Sequence, residues 1–256
     1  MTSEVDVRVH LETPGWAITA GLAVPREPAS LEVWLPFLQA MASQIAAKAR
    51  AASDASGRPV SCSNGCGGCC RQPVSISLIE ARALANLVAQ MPEPRRQEVR
   101  RRFAEGQARL AQSGVLAGDH SAPAPEFPLA TTASQRLIAA WFALQIVCPF
   151  LEDESCSIYE DRPLICREHM VTTPASACSR PFREAVDWIE LRVRIADALV
   201  RATAKLAGLP AVTVPLMTSL SLEAGAAVSL SRPHDPREML EVLLGEIGEW
   251  RIEPAS

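Results

Sequence analysis

The stretch Cys62-Ser63-Asn64-Gly65-Cys66-Gly67-Gly68-Cys69-Cys70 places four thiols within nine residues of a glycine-rich loop. After 77 intervening residues comes a second group, spaced as Cys148-x7-Cys156-x9-Cys166-x11-Cys178. Cys66 and Cys69 form a Cys-x2-Cys pair, and two thiolates from one tight turn reach the same ion at about 2.3 Å. Gly65, Gly67 and Gly68 are expected to supply positive-φ backbone for that turn and to free N–H groups for donation to sulfur. Adjacent Cys69 and Cys70 are expected to point to different sides. Either they serve two metal centres, or one holds a cluster and the other does something else. Cysteine is also used as a small buried hydrophobe. That use competes for the isolated Cys178, but it does not account for four thiols in one Gly-rich loop. If the two groups share a site, folding must bring them together around a metal.

The 256-residue chain is otherwise ordinary. It is 48% apolar and 21% charged, which excludes disorder and collagen-like structure, and its net charge of -4 offers no electrostatic footprint for nucleic acid. Met1 to His10 lacks the basic and then apolar order of a signal peptide. The apolar stretches Gly15–Val24 and Leu137–Leu151 fall short of the roughly 20 residues that span a bilayer. The expected location is therefore cytoplasmic, with no membrane partner. There thiols stay reduced, and a cysteine cluster reads as metal-binding or catalytic, not disulfide-bonded.

Hydrophobic periodicity predicts mainly α structure with minor β. Val5, Val7 and Val9 alternate with polar residues as a strand, and Trp16 to Val24 is its hairpin partner across Thr13-Pro14-Gly15. Helices are expected over Leu31–Ser53, from a Ser77–Glu80 capping box to Gln90, and in a charged stretch ending near Ser113. Residues 114–130 read as a Gly/Ala/Pro connector. Further helices are expected over Ser134–Val147, over Pro181–Leu206 with a first-turn proline, and from an Asp235 cap to Trp250. Val212–Leu216 and Val228–Leu230 read as short strands. The expected architecture is an irregular, metal-organised cysteine core (61–184) flanked by an N-terminal hairpin and helix (1–60) and a C-terminal helical extension (185–256), all in one unit.

Four thiolates on one divalent ion leave a charge near -2, which demands cations or hydrogen bonds close by. Arg71 after Cys70, Arg167 after Cys166 and Arg162 four residues before Cys166 are the candidates for that cofactor-binding role, against a reading as solvated surface arginines. His169, three residues after Cys166, is a candidate fourth ligand or else a surface or core histidine. Tyr159 reads as a packing residue. Arg95, Arg96, Arg100, Arg101 and Arg102 are interleaved with Glu93, Glu98 and Glu105 and read as a solvated helix face. His10-x-Glu12 sits in strand-like alternation and is dismissed as half of a deaminase signature. No phosphate loop, nucleophile elbow or kinase string is present.

From Cys66-Gly67-Gly68-Cys69-Cys70 through Cys148-Pro149-Phe150-Leu151, Cys156-Ser157-Ile158-Tyr159-Glu160, Arg162-Pro163-Leu164-Ile165-Cys166-Arg167 and Cys178, residues 62 to 183 resemble the CxxCxxCC family. These are zinc- or iron-chelating cysteine-cluster proteins of the YkgJ type. One departure is the three-residue gap between Cys62 and Cys66, where the family commonly has two. The resemblance implies metal chelation by the eight cysteines. The cofactor it implies is iron, including an iron–sulfur cluster, or zinc. A functional metal centre with redox or group-transfer chemistry, a structural zinc module and a metal-handling protein are all compatible with it. Eight thiols exceed the four that one structural ion needs, which favours the first.

Overall fold

The alternating valines form a strand as expected. In the computed structural model, which describes residues 4–13, 16–115, 132–180, 182–221 and 232–254, β1 (Glu4–Thr13) pairs antiparallel with β2 (Trp16–Pro25). The hairpin turn at residues 14 and 15 lies outside the described residues. One turn of 3-10 helix at Leu31–Trp34 leads into α1 (Leu35–Ala55), with Pro36 in its first turn. Val9, Leu11 and Ile18 of the hairpin bury against Leu38, Met41 and Ile45 of α1.

α2 (Leu78–Gln90) follows the short strand β3 (Ser75–Ser77) and opens on the predicted capping box. The Ser77 hydroxyl accepts from Glu80 N–H, while the Glu80 carboxylate accepts from Ser77 N–H at 3.0 Å. Glu80 is buried, and its other oxygen accepts from Leu164 N–H at 2.7 Å. This carboxylate therefore ties the start of α2 to α5 (Leu164–Glu168), the helix that carries Cys166. α3 (Arg95–Ser113) ends at Gly114, whose φ of 65° is left-handed. Residues 116–131, most of the expected connector, lie outside the described residues.

α4 (Ala133–Ala143), capped by Thr132, stops four residues before the expected Val147. Its end is marked by Gln145, which turns to a φ of 51°. Leu151–Glu152 (β4) and Ser155–Cys156 (β5) form a miniature hairpin. The long helix expected from Pro181 is a misreading. Pro181 lies outside the described residues, and α6 runs only over Ile195–Ala207. Residues 187–189 instead pair with the chain at 170–172. Thr172 N–H donates to the Asp187 carbonyl at 3.0 Å and Ile189 N–H to that of Met170 at 2.9 Å. The α6 amino end is capped by buried Glu168, which accepts from Ile195 N–H at 2.5 Å.

β6 (Thr213–Pro215) pairs with β3, as expected from Val212–Leu216, whereas Val228–Leu230 lies outside the described residues. Asp235 caps α7 (Pro236–Ile247) through Arg237 and Glu238 N–H. That helix does not reach Trp250. Gly248, at a φ of 154°, ends it, and Glu249–Pro254 becomes β7, a third strand pairing with β1. The period-3.6 reading of this tail lost to pairing with an open sheet edge.

Among the described residues three buried clusters result, the smallest being Ala139 and Phe142 of α4. The first joins the hairpin, α1, α6 and α7, together with Leu78, Ile79 and Leu164 from the cysteine-bearing segment. The second joins α2 and α3 to Trp141, Phe150, Ile158, Leu216 and Met217, with Phe103 edge-on to Phe150 at 5.6 Å. Cys148 and Cys156 pack against this second cluster. Among the described residues, no helix is long and apolar enough to cross a membrane.

Glu80→Ala is expected to cost more than Ser77→Ala. It strands the Leu164 and Ser77 donors at about 1–3 kcal/mol each, against about 1 kcal/mol for a lost cap. Urea unfolding of the two variants measures the difference, and equal costs would contradict the tie.

Candidate metal centre

The first cysteine loop is anchored at both ends by backbone contacts. Ser61 N–H donates to the Val171 carbonyl at 3.0 Å, and Val171 N–H donates back to Cys62 Sγ at 3.4 Å. Arg50 of α1 donates to the Cys62 carbonyl at 2.5 Å. Gly65, at a φ of 84°, allows the turn that brings Cys66 N–H to the Ser63 carbonyl. Gly68–Arg71 then forms a 3-10 turn holding Cys69 and Cys70. The two cysteine groups meet where Cys148 N–H donates to the Cys70 carbonyl at 2.7 Å.

Seven thiols, those of Cys62, Cys66, Cys69, Cys70, Cys148, Cys156 and Cys166, line one cavity of about 320 Å³. Cys178 is buried behind it, beside Gly68. All eight cysteines are free thiols. Among the described residues, no three Cys, His, Asp or Glu side chains converge closely enough to hold an ion as they stand. The thiols ring the cavity and do not pinch a point in it.

Two sequence expectations are corrected here. Only Gly65 of the three loop glycines has a positive φ. The others are required by close approach: a Cβ on Gly67 would lie 2.6 Å from Leu151 Cδ1, and one on Gly68 would lie 2.8 Å from the Ala175 carbonyl oxygen. Cys69 and Cys70 are also not turned apart. The tight 3-10 turn brings them into hydrogen-bond contact, and both face the same cavity.

That contact, with burial, pushes the Cys69 thiol far above its ordinary value. Burial pushes Cys148 and Cys178 up to about 12, with neighbouring thiols adding to it, and raises Cys62, Cys156 and Cys166 in the same direction. A thiolate in this cavity repels the others in a low dielectric, so these thiols stay protonated at neutral pH without a cation.

The three arginines are placed differently from one another. Arg71 clamps the loop, donating to the Gly67 carbonyl at 2.9 Å and, through both terminal nitrogens, to Glu154 at 3.0 and 2.5 Å. Arg162 lies on the cavity wall with its guanidinium 3.6 Å over the Tyr159 ring, which makes Tyr159 a packing residue as expected. Arg167 is buried and donates to Ser43 Oγ and to the Arg162 and Glu160 carbonyls. None is simply solvated.

His169 reaches the same cavity. Its ring meets Trp188 edge-on at 4.5 Å, and burial lowers its pKa to about 4, which leaves the imidazole neutral. Sequence reasoning missed Arg50, Glu80 and Glu154, because their partners are distant in the chain and carry no motif. The arginines of α3 pair with Glu93, Glu98 and Glu105 as expected, but Arg102 also reaches Glu152 at 3.1 Å and the Pro149 carbonyl at 3.2 Å. It thereby braces the chain between Cys148 and Cys156.

The donor set fits a thiophilic metal. Soft sulfur ligands from both segments surround one space, no disulfide consumes them, and their charge can develop only against a cation. Residues 61–181 match the model of the CxxCxxCC family, described as "Putative zinc- or iron-chelating domain". The match supports metal binding. Neither a curated protein nor a solved structure matches the chain.

Gly68→Ala is expected to destabilise the protein by about 1–3 kcal/mol through overpacking, because its neighbour is backbone and cannot yield. Urea unfolding measures this, and an unchanged midpoint would contradict the close approach. The pH dependence has a definite sign. Folded thiols raised above their ordinary value of 9.0 stay neutral while unfolded ones ionise, so metal-free stability is retained below about pH 9 and falls as pH rises towards about 12. Denaturant midpoints across that range test it, and a flat profile would contradict the raised thiols.

Proposed function

Because residues 61–181 match the CxxCxxCC family model, we propose that the thiol-lined cavity holds iron as an iron–sulfur centre serving redox or group-transfer chemistry. The observation that carries this reading is the gathering of seven thiols from both segments on one cavity. One tetrahedral ion takes four ligands, so a single ion leaves donors over, whereas a polynuclear centre uses a larger space and more sulfur. In a reducing cytoplasm these thiols remain free to ligate.

Cys62, Cys66, Cys69, Cys70, Cys148, Cys156, Cys166 and Cys178 supply the candidate ligands. When bound, the centre supplies one-electron chemistry or Lewis acidity. The residues around it orient and compensate. Arg162 faces Cys156 and favours its thiolate, Arg71 holds the Gly67 loop with its charge near Cys70, and Arg50 favours the Cys62 thiolate. Glu80 and Arg167 tie the amino end of α5 and Glu168 ties its carboxyl end to α6, so that Cys166 is presented from a turn held at both ends. Each ligating thiol gives up a proton, so metal affinity rises with pH through the neutral range. A second reading, zinc held only for structure, draws on the same donors and on the loop-rich character of residues 148–180.

Anaerobic purification with iron, sulfide and zinc analysis separates the readings. The expected result is a brown protein with iron and sulfide in stoichiometric ratio. A colourless protein that takes up only zinc, even after reconstitution with iron and sulfide, would overturn the iron–sulfur proposal. Because Cys69 and Cys70 touch on one cavity, Cys69→Ser and Cys70→Ser are expected to lose equal fractions of metal. Unequal losses would assign them to separate centres.

A further inference from the structure

A second cavity, of about 370 Å³, lies behind the thiol cavity, and Cys69, Val74, Cys166 and His169 line both. The metal reading gives the first cavity a use and leaves the second without one. Its volume falls within the range of small-molecule sites, about 300–1,000 Å³.

Trp188 is 48% exposed, one of the few large apolar side chains left open, and lines this second space. Beside it stands Arg194, at the amino end of α6. The nearest carboxylate oxygens to its guanidinium are those of Asp197 at 3.5 Å and Glu168 at 3.9 Å. Both are longer than the 2.7–2.9 Å or so of a charge-assisted hydrogen bond. Arg194 is thus held by two long ion pairs, through Nε and Nη1, and its five-donor fork keeps N–H capacity to take a further carboxylate while both acids keep their places. His169 Nε2, on the shared wall, is buried with no hydrogen-bond partner. Pro73, Val74, Ile165 and Val200 add apolar surface beside Gln72, Thr213 and the Glu80 carboxylate, which already accepts from Ser77 and Leu164 N–H.

We propose that this second cavity binds a small monoanionic carboxylate with a flat apolar body. Arg194 holds the carboxylate, Trp188 covers the body, and the far end abuts the wall shared with Cys69, Cys166 and His169. A single negative charge fits better than a phosphate dianion, because Asp197 and Glu168 already stand near the guanidinium and repel further charge. The ligand's proximity to a metal rests on the thiol-centre reading, whereas its binding does not.

The test uses the full chain, with benzoate as probe and the isosteric, neutral benzamide as control, followed by saturation-transfer NMR and calorimetry. Benzoate is expected to bind at least tenfold more tightly than benzamide, and Arg194→Gln to abolish that preference with an unchanged circular dichroism spectrum. Arg194→Lys is expected to restore part of it. Equal binding of the two probes, or benzoate binding unaffected in Arg194→Gln, would overturn the proposal. In cobalt(II)-loaded protein the bound benzoate ring protons are expected to broaden, and in the zinc-loaded form they are not. Bound benzoate that stays sharp beside cobalt would overturn the shared wall. Failure of cobalt to load would count against the thiol centre alone, since the metal-free titration still decides the cavity.

Discussion

The burial of many thiols in one poorly solvated space, where each thiolate formed repels the next, is the constraint on which this molecule turns. Seven sulfurs line one cavity, and burial, with the neighbouring thiols, raises Cys62, Cys148, Cys156 and Cys166 above the ordinary thiol value. Two states relieve that repulsion: every thiol protonated, or several deprotonated around a cation. A protein with no use for a cation gains little by gathering thiols from segments 77 residues apart, since scattered apolar residues fill space without the risk of oxidation.

The fold delivers the two cysteine segments to each other through a few polar contacts set between two large apolar clusters. Cys148 N–H on the Cys70 carbonyl joins the segments directly. Glu80 fixes α5 against α2, and Glu168 fixes α6 against α5, so Cys166 and His169 sit between two buried carboxylates with defined backbone partners. The Arg71–Glu154 and Arg102–Glu152 pairs hold the small hairpin that carries Cys156. Exposed ion pairs contribute little to stability, typically about 0–1 kcal/mol each. Their importance here lies in placing a loop, not in strengthening the fold.

Much of this was legible in the chain. Val5, Val7 and Val9 announced β1 because strand periodicity is local, and Ser77 with Glu80 announced α2 because a capping box is read within four residues. Misreadings occurred where a distant partner decided the outcome. The segment after Pro181 has helical composition, yet residues 187–189 are taken up by backbone pairing with 170–172. Trp250 continues a helical pattern, yet β1 offers an open edge that Gly248 lets the chain reach. At the site, spacing alone identified the ligand candidates. It could not show that Gly67 and Gly68 serve close approach, or that a 3-10 turn presses Cys69 against Cys70. Arg50, Glu80 and Glu154 act through partners that no local pattern names.

Metal binding through sulfur is the central claim, and X-ray absorption at the metal edge of the anaerobically purified protein addresses it directly. The expected result is a first coordination shell dominated by sulfur at about 2.3 Å, together with a metal–metal distance if the centre is polynuclear. A first shell of oxygen or nitrogen at about 2.0–2.2 Å, with no sulfur, would contradict it.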